Sequence, residues 1–345
     1  MDKLIRVLVV DDSAYVRKVM TQMLSRSPFI EVVGAARDGA EALELVEQLN
    51  PDVVTLDLIM PEMDGVEFMR RQMARRPLPV VVVSIASESG GAALAALEAG
   101  AIDFVQKPTA LATEKIFEIS NEIIDKVKAA SQASLAPLQR LPSAAPAVAL
   151  PAVPQGLLDL VVIGISTGGP QALKYLIPQL PANFPAPVAI VLHMPVGYTA
   201  LYAEKLNEVS NLHVVEAGQG QEVRPGTVFI APAGRHLTLV RRADGVVATH
   251  LDARPFDTPH RPSVDVLFQS AANVFRERLL GVVMTGMGAD GREGAAWIKS
   301  QGGLVYTESE ESCVIYGMPR SVAEANLSDR SIPLDRMALA IMEVV

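Results

Sequence analysis

Five short and almost uninterrupted apolar runs alternate with helical patterns in the first third of the chain. The runs read IRVLVV, IEVVGAA, DVVTLDL, PVVVVSI and AIDFVQKP. Continuous valine and isoleucine, rather than a strict alternation of apolar and polar residues, is typical of strands that are buried on both faces of a parallel sheet. Five β-α units predict a doubly wound α/β domain, and such domains bind ligands beyond the carboxyl ends of their strands.

The second half of the chain repeats this pattern with more insertions. A hairpin is predicted within HLTLVRRADGVVATHL, because Asp244-Gly245 is a tight-turn pair. The fold class is therefore α/β, with two doubly wound parallel-sheet domains. The strand candidates of the second domain are Leu158–Ile163, Val188–Leu192, Leu212–Val215, Val228–Ile230, Leu279–Met284 and Leu304–Tyr306.

The two sets of strands are separated by a stretch of different composition. Ala, Pro, Ser and Gln dominate Ser131–Gln155, and prolines recur at positions 137, 142, 146, 151 and 154. Proline lacks a backbone donor and opposes both helix and sheet, so this stretch is predicted to be a linker. The predicted organisation is a first domain over residues 1–125, a linker over 126–156 and a second domain over 157–345.

The bulk properties exclude several classes of function. The 345-residue chain has a formal net charge of −9, and its pI is near 5.2, which opposes non-specific binding to nucleic acid or to anionic membranes. Its single cysteine, Cys313, excludes an intrachain disulfide and fits a reducing compartment. We expect no signal peptide and no membrane insertion, because the apolar runs are too short, and hence a cytoplasmic protein.

Polar residues follow four of the five strands predicted in the first domain. Asp11 and Asp12 follow the first strand and Asp57 the third, while Ser84 ends the fourth and Lys107 follows the fifth. Any one of these aspartates could merely cap a turn, but together they predict a site. Clustered carboxylates repel one another unless a hard cation such as Mg²⁺ lies among them. A carboxylate beside that cation can accept a phosphoryl group, whose oxygens a hydroxyl and an ammonium can hold.

Three strand ends of the second domain carry the groups needed for nucleophilic acyl transfer. Ser166 lies in GISTGGP, His193 follows the strand VAIVL, and Asp290 lies in the glycine-rich loop TGMGADG. A neutral imidazole can take the proton of the serine hydroxyl, and a buried carboxylate can orient that imidazole. Backbone N–H groups of the TGMGADG loop could stabilise a developing oxyanion.

These residues allow other interpretations. Ser166 could only cap the helix that follows it, and Asp290 could belong to a common Asp-Gly turn. An α/β-hydrolase elbow requires the chain order Ser, acid, His, but no histidine follows Asp290. A phosphate cradle is weakly supported, because the turn lacks the P-loop lysine and the G-x-G-x-x-G spacing. The remaining histidines lack a suitable strand end and are not predicted to act: His213, His236, His250 and His260.

The first domain resembles a two-component receiver domain, through the motifs VDDS, DLIMPEMDG and KP. The resemblance implies a flavodoxin-like fold in which Asp57 is phosphorylated. It also implies that Mg²⁺ is bound for phosphorylation by Asp12 and Asp57, with Asp11 beside them.

The same resemblance implies three switch residues, which are Ser84, Lys107 and the rotating aromatic Phe104. Ile85 departs from the pattern, since receivers usually have a small residue directly after the switch hydroxyl. This departure bears on the rates of phosphorylation and hydrolysis rather than on the assignment.

The whole chain apart from the linker resembles the CheB family of chemotaxis response-regulator protein-glutamate methylesterases. The second-half motifs are GISTGGP, HMP, TGMGADG and the segment RPSVDVLF at residues 261–268. The resemblance implies a Rossmann-like methylesterase domain in which Ser166 is the nucleophile, His193 the general base and acid, and Asp290 the orienting acid. It also implies that the backbone N–H of Met287 contributes to an oxyanion hole, and that the esterase chemistry needs no cofactor.

The family implies hydrolysis of glutamate methyl esters on chemoreceptor cytoplasmic domains with release of methanol, together with deamidation of receptor glutamines. A chemotaxis histidine kinase would be the phosphodonor. We hypothesise that the unphosphorylated receiver blocks the site of Ser166 until Asp57 is phosphorylated. The alternative from another class is a phosphorylation-gated binding module, whereas a DNA-binding regulator is disfavoured by the acidic α/β second half.

Overall fold

The computed structural model describes residues 4–84, 90–107, 113–135 and 158–345, and the chain divides into two compact units, residues 1–138 and 139–345. Each unit contains a parallel sheet, as predicted. The predicted start of the linker at residue 126 falls within a helix that continues to Ser131. Ile85 and most of the predicted linker lie outside the described residues.

The first unit has a five-stranded parallel sheet with the strand order β2-β1-β3-β4-β5. This order places β1 and β3 side by side at the centre, so that the residues after these two strands are neighbours. The strands are β1 (Ile5–Val10), β2 (Ile30–Ala36), β3 (Val53–Leu56), β4 (Val80–Ser84) and β5 (Asp103–Gln106), and the helices are α1 (Ala14–Leu24), α2 (Gly39–Leu49), α3 (Gly65–Arg75), α4 (Gly90–Glu98) and α5 (Thr113–Ser131).

Short polar side chains determine where the first three helices begin. The Ser13 hydroxyl and the carboxylates of Asp38 and Asp64 each accept a hydrogen bond from the backbone N–H three residues later, at distances of 3.4, 2.9 and 2.8 Å. The first N–H groups of a helix have no partner within the helix, so an N-cap oxygen stabilises its first turn. Each of these caps therefore fixes the residue at which its helix begins.

The second unit has a seven-stranded parallel sheet with the order β14-β13-β12-β6-β7-β9-β8 and a separate hairpin, β10-β11. The strands are β6 (Leu160–Ile165), β7 (Val188–Leu192), β8 (His213–Glu216), β9 (Thr227–Ile230), β10 (His236–Arg241), β11 (Val247–Asp252), β12 (Leu279–Val283), β13 (Leu304–Glu308) and β14 (Arg330–Ile332), and the helices are α6 (Gly169–Leu176), α7 (Thr199–Val209), α8 (Val264–Phe275), α9 (Arg292–Ser300), α10 (Met318–Glu324) and α11 (Leu334–Met342).

The strand order of the second sheet reverses beside β6. The chain proceeds from β6 to β7 and beyond on one side, and it later returns to place β12 on the other side of β6. Such a reversal opens a crevice at the carboxyl ends of the strands, where doubly wound sheets bind their ligands. All six predicted strands and the hairpin are present, whereas the short edge strand β14 was not predicted.

We predict that Asp38→Ala lowers the free energy of unfolding of the first unit by about 1 kcal/mol, because helix α2 loses its N-cap bond. Asp125→Ala is a matched control, since Asp125 is an exposed residue in the middle of α5 and caps no helix start. Urea unfolding of both variants, followed by circular dichroism, measures the difference. An equal loss of stability in the two variants would contradict this role for Asp38.

Candidate active site

Ser166 directly follows β6, in a tight turn that leads into α6. Its backbone N–H donates to the Thr285 carbonyl at 2.9 Å, and its own carbonyl accepts from the Gly169 N–H at 2.7 Å. The N-cap of α6 is Gly168, with a positive φ of 79° and no side-chain cap bond. The interpretation of Ser166 as a helix cap is therefore wrong, and the turn presents a half-buried serine at the crevice.

The loop after β12 lies directly against Ser166. A Cβ atom built on Gly286 would be 2.7 Å from the Cβ of Ser166 and 2.5 Å from the Sδ of Met318, so only glycine fits this close approach. The Gly286 carbonyl accepts from the backbone N–H of Met318 at 2.8 Å, which fixes the peptide that leads into Met287. Met287, the predicted oxyanion donor, thus directly follows the glycine that approaches Ser166.

His193 follows β7 and is bonded to Asp290. The distance from its Nε2 to the Oδ2 of Asp290 is 2.9 Å, and the two side chains are 10% and 8% exposed. The Nδ1 atom of His193 is buried and has no hydrogen-bond partner among the described residues. An ionised carboxylate can only accept a hydrogen bond, so Nε2 carries the hydrogen. Nδ1 then has a free lone pair and can act as a base.

The positions of Ser166, His193 and the Asp290 loop are neighbours because their strands are paired in the sheet. Within the sheet, Ile165 of β6 is paired with Leu192 of β7, and Gly164 of β6 is paired with Val283 of β12. The His193 N–H also donates to the Ile165 carbonyl at 3.2 Å, which extends the pairing by one residue. Ser166, His193 and the loop that holds Asp290 therefore leave the sheet side by side, as the sequence predicted.

Asp290 is held by more than the imidazole. Its carboxylate accepts from the backbone N–H groups of Val264 and Asp265 at 2.8 and 3.0 Å and from the Ser263 hydroxyl at 2.9 Å, so it caps the N-terminus of α8. Burial raises the pKa of the Asp290 carboxyl, but the bonds from His193 and from these amides outweigh burial and hold that pKa well below its usual range. The carboxylate is consequently ionised and immobile.

A second aspartate, Asp265, makes a similar cap at the start of the other helix. The Oδ1 atom of Asp265, in the first turn of α8, accepts from the backbone N–H groups of Gly291 and Gly294 at 2.9 and 2.6 Å, and it thereby caps α9. Burial, together with the nearby charge of Asp290, raises the pKa of Asp265 to about 6. Asp265 and Ser263 were not predicted to be site residues, although both lie in the segment RPSVDVLF.

Two histidines that were not predicted to act lie in this neighbourhood. The ring of His260 stacks on that of His193, with centroids 4.1 Å apart and an interplanar angle of 24°. His236 is fully buried, and its Nδ1 accepts from the Ser263 N–H at 3.2 Å while its Nε2 donates to the Pro255 carbonyl at 3.0 Å. Burial lowers the pKa of His236, so this residue is a neutral structural link.

The predicted phosphorylation site lies at the carboxyl ends of β1, β3 and β5. The carboxylate oxygens offered by Asp11, Asp12 and Asp57 all lie within 4.8 Å of one another. The Lys107 ammonium is 2.6 Å from Asp11 Oδ2 and 2.7 Å from Asp57 Oδ2. Burial and the charge of Asp11 raise the pKa of Asp57 despite the contact with Lys107. This set of hard oxygen donors fits Mg²⁺.

The predicted switch residues take defined places around Asp57. Ser84 is buried at the end of β4, and its carbonyl accepts from the Lys107 N–H at 2.8 Å. Phe104 lies in β5 and is 2% exposed, so its ring is packed inside the domain. The N–H of Leu58 donates to Asp57 Oδ1 at 2.7 Å.

Among the described residues, no helix combines the length and the apolar character needed to cross a membrane.

Glu308 is a buried carboxyl that supports the loop beside Ser166. It ends β13, is 0% exposed, accepts from the Thr285 N–H at 2.9 Å and accepts from the Ser312 hydroxyl at 2.9 Å. Burial raises its pKa from the usual 4.5 to about 7. The folded state thus holds this proton more tightly than the unfolded state, and the stability contributed by the protonated form is lost as pH rises from about 4.5 to about 7.

We predict that Glu308→Gln removes the loss of stability that ionisation of Glu308 causes as the pH rises. Relative to the parent protein, the variant should gain about 3 kcal/mol of unfolding free energy between pH 4.5 and pH 8, because a neutral amide cannot ionise. Urea unfolding at several pH values measures the gain. Glu343→Gln, at an exposed ion pair with Arg330, is the control and should not reproduce it. Parallel pH profiles for the parent and Glu308→Gln would refute the assignment of the titrating group.

Comparison with known protein families accounts for both units. A family profile described as CheB methylesterase matches residues 161–341, and one described as response regulator receiver domain matches residues 7–118. The crystal structure of the Thermotoga maritima CheB methylesterase catalytic domain superposes with a TM-score of 0.53 at 43% identity, covering 55% of this chain and 99% of that one.

Known relatives match this chain over almost its full length. The chain is 51% identical over 335 residues to protein-glutamate methylesterase/protein-glutamine glutaminase 5 of Myxococcus xanthus, with 96% of each chain covered. It is 43% identical over 345 residues to the protein-glutamate methylesterase/protein-glutamine glutaminase of Halalkalibacterium halodurans, with 99% of each covered. The predicted family is therefore confirmed: this chain belongs to the CheB methylesterase family and carries a response regulator receiver domain.

Proposed function

We propose that this protein is a phosphorylation-activated hydrolase that demethylates glutamate methyl esters on chemoreceptors, releases methanol and also deamidates receptor glutamines. The observation that carries the proposal is the buried pair of His193 and Asp290, next to the strand that leads to Ser166, in which His193 Nδ1 has no hydrogen-bond partner within the described part of the chain. The names of the full-length relatives support the two activities. Substrates on the cytoplasmic domains of receptors would place the enzyme in the cytoplasm.

The proposed acyl transfer uses only groups of the second unit. The Oγ of Ser166 attacks the ester carbonyl while His193 Nδ1 takes the hydroxyl proton, and the ionised Asp290 stabilises the resulting imidazolium. The backbone N–H of Met287 is proposed to stabilise the oxyanion. His193 then returns the proton to the ester oxygen, which departs as methanol, or to the amide nitrogen of a glutamine, which departs as ammonia, and it next activates the water that releases glutamate from Ser166.

We further propose that Asp57 accepts the phosphoryl group from a chemotaxis histidine kinase. Asp11, Asp12 and Asp57 would hold Mg²⁺, which neutralises charge on the transferring phosphoryl group when it is bound. The Lys107 ammonium, which bridges two carboxylates, is positioned to pair with a phosphoryl oxygen. Ser84 supplies a hydroxyl at the neighbouring strand end, and the buried Phe104 would change rotamer with the switch.

We propose that the unphosphorylated receiver restricts access to Ser166 and that phosphorylation of Asp57 relieves this restriction. The support is that a phosphorylation site and an active site for a bulky helical substrate are joined through a proline-rich segment. A relative's catalytic domain has been crystallised by itself, which supports independent folding of the second unit.

We predict that Ser166→Ala abolishes release of methanol, with a loss of at least about 1,000-fold, because no other group takes the place of the nucleophile. The assay incubates methyl-labelled receptor membranes with the protein and a small phosphodonor, and it measures volatile methanol. Ser300→Ala, at the exposed end of α9, is the control and should retain full activity. Equal release from the parent and Ser166→Ala would exclude an esterase that uses this serine and favour the binding-module alternative.

A variant that lacks residues 1–150 should release methanol faster than the unphosphorylated full-length protein, because the restricting domain is gone. Asp57→Ala should retain the basal rate of the full-length protein but lose its stimulation by the phosphodonor. If the truncated variant is no faster than the unphosphorylated parent, restriction of access is wrong, and activation must come from docking of the receiver on the receptor.

A further inference from the structure

We infer that His260 is a positioning residue for His193: its ring is a flat support that holds the His193 imidazole in the orientation needed to take the proton of Ser166. This inference rests on the proposed function and assigns a role to a residue outside the Ser166, His193 and Asp290 set. The observation that carries it is the stacked contact between the two rings, with centroids 4.1 Å apart and an interplanar angle of 24°.

The hydrogen bond to Asp290 does not by itself fix the plane of the His193 ring. The bond is made at Nε2, which lies near the axis of rotation about Cβ–Cγ, whereas Nδ1 lies further from that axis. The torsion about Cβ–Cγ is broad for histidine. A small rotation about it therefore moves Nδ1 further than Nε2, the atom bonded to Asp290. A second ring against one face of the imidazole opposes this rotation directly.

The segment that carries His260 is itself anchored. The buried His236 contacts it from within, since its Nε2 lies 3.0 Å from the Pro255 carbonyl and 3.3 Å from the Thr258 hydroxyl. The Arg261 carbonyl, one residue after His260, accepts from the Gly234 N–H at 3.0 Å. The ring of His260 is therefore placed by backbone contacts on both sides of it, although the residue is exposed.

The same segment continues into the residues that hold Asp290. Ser263 donates its N–H to His236 and its hydroxyl to Asp290, at 3.2 and 2.9 Å. One short stretch of chain thus positions His193 in two ways, through Asp290 at the ring edge and through His260 at the ring face. A support that orients a base without contacting the substrate should affect kcat and leave KM nearly unchanged.

The test compares His260→Ala, which removes the ring, with His260→Phe, which retains a flat ring but no nitrogen. Demethylation of receptor membranes is measured over a range of substrate concentrations with the full-length, phosphodonor-treated protein. We expect His260→Ala to lower kcat on the order of ten- to a hundred-fold at a similar KM, and His260→Phe to recover most of that loss. His213→Ala, at an exposed histidine that begins β8, should behave as the parent.

Three outcomes would overturn the inference: an unchanged kcat in His260→Ala, a change confined to KM, or an equal loss in His260→Ala and His260→Phe. Thermal unfolding of each variant identifies a folding defect, and His260→Gln then replaces His260→Ala as the variant without a ring, with the same expectation. A failure of the parent protein to release methanol would instead refute the proposed function, so the two failures are distinguishable.

Discussion

The geometry of the candidate active site depends on one carboxylate, that of Asp290. It accepts hydrogen bonds from the start of α8 and from His193 at the same time, so a single group links the start of a helix to one edge of the proposed base. The partners are all donors, which keeps the carboxylate charged although it is largely buried. The first unit uses the opposite arrangement, because there one ammonium, Lys107, joins two carboxylates.

The architecture and the location of both sites were predictable from the sequence for a simple physical reason. Strands buried on both faces must be apolar throughout, so their ends are marked by the first polar residue. In a parallel sheet those ends lie at one edge. Asp57, Lys107, Ser166 and His193 could therefore be proposed as site residues from the sequence alone, whereas the strand order and its reversal beside β6 come from the structure.

The residues that the sequence did not reveal act across loops rather than at strand ends. His260 reaches His193 from a segment between a hairpin and a helix, and no periodicity predicts a contact between two rings that lie far apart in the chain. Asp265 looked like an ordinary acidic residue in the first turn of a helix, yet its carboxylate caps a different helix. Glu308 ends a strand as the predicted residues do, but it faces inward, and sequence patterns do not distinguish the two directions.

The exchange of caps between Asp265 and Asp290 has a consequence for how such domains can diverge or be redesigned. Asp265 lies in the first turn of α8 and caps α9, whereas Asp290 lies in the loop before α9 and caps α8, so each helix start depends on the other segment. The loop after β12 carries Asp290, which caps α8. A graft that replaces this loop with that of a distant relative would leave α8 uncapped unless the residues around Asp265 were replaced as well. The two segments are separated in the chain, but they would have to be exchanged together.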